Sequence, residues 1–172
     1  MPQWSTHGTV VLAACTSLVL AGCAAEPLSE ATIGIARGGE RSVVLGVVVV
    51  CSGSVDGFEL STDDTAPLLI GDGQRRITRW VAPEFVGELG ATDLVGRTIW
   101  PAETVIDRFY PGVDYALDVY TNDGTMLARP VVFNAEQFDT LSEGEVLVGN
   151  IRDGTAAEIS VQEFLGLACE ES

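Results

Sequence analysis

Short apolar stretches cut by turn residues run along most of the chain. Residues 113–121 alternate most cleanly, with Val113, Tyr115, Leu117 and Val119 on one side and Asp114, Ala116, Asp118 and Tyr120 on the other. A period of two is that of a strand with one face buried and one solvated. Residues 42–51 form a near-continuous apolar run containing six valines. The run is far shorter than the ~20 residues that span a bilayer, so it predicts a strand buried on both faces. Further strands are expected over 57–61, 67–71, 75–82, 104–109, 126–133, 145–151 and 156–162, with Pro130 marking an edge or a bulge.

Asp-Gly recurs at Asp56-Gly57, Asp72-Gly73, Asp123-Gly124 and Asp153-Gly154. The dipeptide suits tight hairpin turns, because glycine adopts positive φ without steric cost. Helix signals are few. Asn134 followed by Gln137 makes a capping pair and predicts a short helical turn reaching Leu141; residues 83–89 allow a second. There is no internal repeat and no sign of a second globular unit. The expected fold is all-β, a small antiparallel barrel or sandwich with one or two short helical turns. The residues Phe138, Asp139, Leu141, Gly144 and Glu145 resemble the stretch that plugs one end of small secreted barrel-type domains, a resemblance that implies a fold class and no activity.

Residues 1–22 carry no Asp, Glu, Lys or Arg, and residues 10–20 are mostly apolar, the size of a signal-peptide core. The run ends in Leu20-Ala21-Gly22-Cys23, which resembles the bacterial lipobox. That resemblance implies a lipoprotein: a signal peptide of residues 1–22, acylation of Cys23, and a domain held on the outer side of the cell membrane. Two or three acyl chains anchor stably, since each buried CH₂ contributes ~0.8 kcal/mol. Residues 23–41, with Pro27, Ser29, Gly34, Gly38 and Gly39, then read as a flexible tether, and residues 42–172 as a single β domain.

Charge and composition narrow the chemistry. Of 172 residues, 25 are Asp or Glu and 9 are basic, all arginine, for a net charge of −16. So acidic a chain is not a nucleic-acid binder, which needs a dense cationic surface. At 47% hydrophobic it is not a disordered acidic tail either. His7 is the sole histidine and lysine is absent. Processing before Cys23 would leave neither, removing Ser–His–Asp, Cys–His and Ser–Lys catalysis and all imidazole metal sites. No phosphate loop or dinucleotide fingerprint is present, so neither cofactor nor metal is expected. Cys15 leaves with the leader and Cys23 takes lipid, so Cys51 and Cys169 are expected to pair outside the cytoplasm.

Carboxylate pairs such as Glu84/Glu88, Asp114/Asp118 and Glu143/Glu145 read as a solvated acidic face, and Asp63-Asp64 and Asn122-Asp123-Gly124 as turns rather than calcium ligands. Arg75, Arg76 and Arg79 form a basic island beside Trp80, and strict alternation puts Arg76 and Trp80 on one face. Tyr120 shares a face with Asp114 and Asp118, while Trp100-Pro101 and Tyr110-Pro111 sit at turn-like sites. Arg75, Arg76, Arg79, Trp80, Trp100, Tyr110 and Tyr120 are therefore the expected binding surface. The leading expectation is a non-enzymatic, membrane-tethered module that binds an envelope protein. The alternatives are a small-ligand or glycan-binding module using Trp100, Tyr110 or Tyr120, and a carboxylate-dependent glycan hydrolase.

Overall fold

The computed structural model describes residues 31–39, 43–62, 75–124, 128–149, 156–167 and 169. In chain order the strands are β1 (Ala31–Gly38), β2 (Val43–Val50), β3 (Val55–Thr62), β4 (Arg75–Val86), β5 (Leu89–Asp93), β6 (Asp114–Tyr120), β7 (Val131–Asn134), β8 (Glu145–Gly149) and β9 (Ala156–Ser160). Two short helices, α1 (Ala135–Thr140) and α2 (Val161–Leu167), follow β7 and β9. The strands form two antiparallel sheets, one of five in the order β5-β2-β1-β8-β9 and one of four in the order β4-β3-β6-β7. Side chains from both sheets share one core, including Ile33, Ile35 and Val48 from the first and Phe58, Leu60 and Leu117 from the second. The fold is thus all-β and sandwich-like, not a closed barrel.

β6 follows its alternation: Tyr115, Leu117 and Val119 are buried, and Asp114, Ala116, Asp118 and Tyr120 fill the opposite face. In β2, Val44, Val48 and Val50 enter the core. The opposite face, with Leu45, Val47 and Val49, is half-buried against a second cluster of Ala36, Val146 and Phe164. The valine run is therefore a strand with one sealed face and one partly covered face.

The expected tether needs correction over residues 31–38, which are β1, paired along its whole length with β2 and sending Ala31, Ile33 and Ile35 into the core. Its glycines serve packing rather than flexibility. A Cβ on Gly34 would lie 2.3 Å from Val146 Cγ1 and 3.3 Å from Phe164 Cε2, so glycine makes the seat for the α2 ring. Residues 1–30, including Cys23, lie outside the described residues.

The capping pair is present. The Gln137 backbone N–H donates to Asn134 Oδ1 at 3.0 Å, and the Asn134 N–H donates to Gln137 Oε1 at 3.1 Å. Together they satisfy two of the donors that a helix start leaves open. α1 sinks Phe138 and Leu141 into the core, so the expected plug closes a sandwich instead of a barrel.

Other expectations shift. Asp56-Gly57 lies inside β3, whereas Asp123-Gly124 is a turn, with Gly124 at φ 68° and its N–H bonded to Thr121 O at 3.0 Å. Residues 83–89 are not helical: β4 continues to Val86 and bends into β5. Residues 104–109 are irregular, β7 begins only at Val131, and β9 gives way to α2 at Val161. Residues 67–71, Asp63-Asp64, Asp72-Gly73 and Asp153-Gly154 lie outside the described residues. Cys51, just past β2, and Cys169, just past α2, form the expected disulfide across 118 residues, with Cα atoms 5.4 Å apart. No helix among the described residues is long and apolar enough to cross a membrane.

Candidate binding surfaces

The basic island is arranged by a β-bulge. Along the β3–β4 pairing, Arg76 faces Ser61 and Arg79 faces Glu59, yet Thr78 faces Leu60, so Ile77 is an extra residue. One inserted residue reverses the parity of the strand. Arg76 and Arg79 therefore share the outer face of the four-stranded sheet, while Thr78 and Trp80 point inward. Trp80 is fully buried and leaves the expected surface; its indole Nε1 finds no hydrogen-bond acceptor among the described residues. Arg75 opens the strand opposite Thr62.

Glu59 sits at the centre of the outer face, paired in register with Arg79 on one side and Asp118 on the other. Arg79 Nε donates to Glu59 Oε2 at 2.5 Å, and Arg76 Nη1 lies 3.9 Å from the same oxygen. Arg76 Nε is 3.8 Å from Glu103 Oε2. The Arg79 guanidinium also lies 4.5 Å from the centre of the Tyr120 ring. Tyr120 pairs with Gly57, where a Cβ would stand 2.9 Å from ring atom Cε1, so the glycine leaves the ring its place. Arg76 and Trp80, expected on one face, lie on opposite faces, and the guanidinium on this face that lies over an aromatic ring is that of Arg79, over Tyr120.

Burial pushes the Asp118 carboxyl up from 3.8 to about 6; the Val119 N–H pulls it back and the Glu59 charge pushes it further up. That N–H donates to Asp118 Oδ1 at 2.8 Å. The Tyr120 phenol is also raised, chiefly by burial, with Arg79 opposing. Arg76 and Arg79 are both engaged by carboxylates, so this face carries alternating charges around one aromatic ring, flanked by the exposed Val81 and Val132. The Glu59–Asp118 neighbourhood was not foreseen. Alternation places each residue on a solvent face, but only the strand register brings them together. A carboxyl that keeps its proton to about pH 6 beside an arginine-held carboxylate can exchange protons near neutrality.

Trp100 is a core residue and also leaves the expected surface. Its ring stacks on Phe58 with centroids 5.2 Å apart, and the Trp100 backbone N–H donates to Thr92 Oγ1 at 3.1 Å. One edge of Trp100 reaches an open hollow of about 820 Å³ at the β4–β5 bend. Tyr110 is accessible, 38% exposed, with the Arg108 guanidinium 4.9 Å from its ring centre. It borders a cavity of about 240 Å³ between the 104–110 segment and Ile77, Val113 and Tyr115.

That segment begins as a cover for the β4 edge. The Val81 N–H donates to Pro101 O and the Glu103 N–H to Arg79 O, each at 2.8 Å. The Thr78 hydroxyl donates to Thr104 O at 2.8 Å and accepts the Thr104 N–H at 2.9 Å. Beyond Thr104 the chain departs to the Ile106 carbonyl, which the Gly96 N–H holds at 2.7 Å. Strand-like composition over 104–109 thus meets a path that lines a cavity.

At the Asn122-Asp123-Gly124 turn, the Asn122 N–H donates to Asp56 Oδ2 at 2.6 Å. Among the described residues no three His, Cys, Asp or Glu side chains are grouped to hold a metal ion. Comparison of the chain with protein-family models, curated proteins and solved structures finds no match.

Proposed function

We propose that this protein is a non-enzymatic module of the cell envelope, held at the outer side of the membrane by lipid on Cys23, that binds a protein partner through the outer face of its four-stranded sheet. The observation that carries the docking reading is the gathering of Arg76, Arg79, Glu59, Asp118 and Tyr120 on one open face. Tyrosine and arginine dominate the energetics of protein interfaces, and a rim of alternating charge selects the partner by complementarity. Membrane attachment rests on Leu20-Ala21-Gly22-Cys23 behind an apolar run. The Cys51–Cys169 disulfide fits the oxidising side of that membrane.

The position of β1 sharpens the reading. Seven residues, Ala24 to Glu30, separate Cys23 from the first strand. Seven residues reach at most about 25 Å. The domain would therefore work close against the bilayer, and its partner would be another protein of the membrane surface.

Crosslinking and co-purification from native membranes, with Cys23 intact, test the reading. The wild-type chain is expected to recover one dominant partner that is lost when Arg76→Glu is combined with Tyr120→Ala. Recovery of the same partner by that variant would overturn the docking face, and recovery of none by the wild type would overturn the protein-binding function. Palmitate labelling that survives Cys23→Ser would remove the anchor.

A further inference from the structure

We propose that the cavity beside Tyr110 is a binding site for a small apolar monocarboxylate. The site is separate from the proposed docking face and does not depend on it. Its volume of about 240 Å³ lies below the range of drug-sized pockets, which sets the ligand on the order of ten non-hydrogen atoms. Ile77, Val105, Ile106 and Val113 with the rings of Tyr110 and Tyr115 line it, so the body of the ligand is apolar and flat or branched.

The walls are already in place. The Tyr110 backbone N–H donates to Tyr115 Oη at 3.0 Å, tying the segment's main chain to the Tyr115 ring. Phe109 packs edge-on against Tyr115 and Phe133, with centroids 5.0 and 5.1 Å away, tying the segment to the core. The Thr78–Thr104 pair and the Gly96–Ile106 bond hold its other end. A preformed cavity spares the ligand the cost of ordering the loop.

The charge at the rim selects the head group. Arg76 and Arg79 are engaged by Glu59 and Glu103, whereas Arg108 rests on the Tyr110 ring with no carboxylate in ion-pair range among the described residues. A guanidinium stacked on an aromatic face keeps its N–H edge free to grip a carboxylate in two parallel bonds. Asp107 lines the same rim, so a dianion would meet repulsion and a single negative charge is favoured.

The test is a titration of the ¹⁵N-labelled full chain with phenylacetate, 2-phenylethanol and phenethylamine, three probes that share a ring and differ in charge. Phenylacetate is expected to shift the amides of residues 104–110 and 113–115 and to bind about tenfold more tightly than the amine. Arg108→Gln should bring phenylacetate to the affinity of the alcohol. Val105→Trp, at an exposed rim position, should fill the cavity and abolish binding of all three. No shift at those amides with any probe, equal binding of the amine, or an Arg108→Gln chain that keeps its preference for the carboxylate would each overturn the proposal.

Discussion

Arg79 holds its guanidinium 4.5 Å from the centre of the Tyr120 ring while its Nε donates to Glu59 at 2.5 Å. One side chain on β4 thereby joins β3 through a charge and β6 through a π face. The arrangement exists because Ile77 bulges out of register and turns Arg79 outward, and because Gly57 leaves space for the Tyr120 ring. Lysine carries the same charge but offers no planar group to lie on the ring.

Arg79→Ala is expected to lower stability by about 1–2 kcal/mol, the combined worth of a charge-assisted hydrogen bond and a half-exposed ring contact. A double-mutant cycle with Tyr120→Ala, followed by urea unfolding, should give a coupling of about 0.5–1 kcal/mol. Strict additivity of the two variants would show that the ring contact adds nothing.

Asp118 should make stability depend on pH in the direction opposite to a salt-bridged carboxylate. Its folded value of about 6 lies above the ordinary 3.8, so between these values the folded state binds more proton than the unfolded chain. Its favourable contribution is full below about pH 4, fades as pH rises toward 6, and is absent above that. Asp118→Asn removes the charge and keeps an oxygen for the Val119 N–H. The variant should be more stable than wild type by about 1–2 kcal/mol at pH 7.5, allowing for solvent screening, and equal to it at pH 4. Thermal melts of both proteins across pH 4–8 check this, and a difference that does not change with pH would sink it.

What the sequence discloses and what it hides divide along physical lines. The alternation of residues 113–121 and the Asn134–Gln137 cap are local, and both appear in the fold as read. The Cys51–Cys169 pair was expected by setting Cys15 and Cys23 aside on the lipobox resemblance, and the bond is present in the fold. Long-range events are hidden. Gly34 and Gly38 look like tether residues until Phe164, far along the chain, is seen to occupy the space above Gly34. Gly57 looks like a turn residue, but a Cβ there would stand 1.9 Å from the Trp80 carbonyl oxygen, so close strand approach requires it. The Ile77 bulge defeats any count by twos, which is why Trp80 was expected outside and lies inside. Tyr110 and Tyr120 needed only local signals, a following proline and a polar face, and both reach the surface.

The cap on α1 carries more weight than its six residues suggest, because the helix sets Phe138 and Leu141 in the core. Asn134→Ala should cost about 1 kcal/mol, while Asn134→Ser, which keeps an acceptor oxygen without placing a second carboxylate opposite Asp114, should cost much less. Chemical unfolding of the two variants distinguishes the cap from a general intolerance at this position.

α2 is held to the fold by two devices of different kinds, and their removal should not be additive. Seven residues are too few for a stable isolated helix, so its order must come from tertiary contacts. Phe164 supplies one, buried over Gly34 against Val146, and the Cys51–Cys169 bond just beyond the helix supplies the other. Phe164→Ala is expected to cost about 3–4 kcal/mol with the disulfide intact. Reduction alone should cost about 2–4 kcal/mol, through the greater freedom of the unfolded chain. Once the ring is gone, the helix has little left to keep it on the sheet, and reduction should release it altogether. Hydrogen exchange would then show rapid exchange of α2 amides in reduced Phe164→Ala under conditions where β6 amides stay protected. If α2 and β6 instead lose protection together in that variant, the helix is an inseparable part of the sandwich rather than a latch upon it.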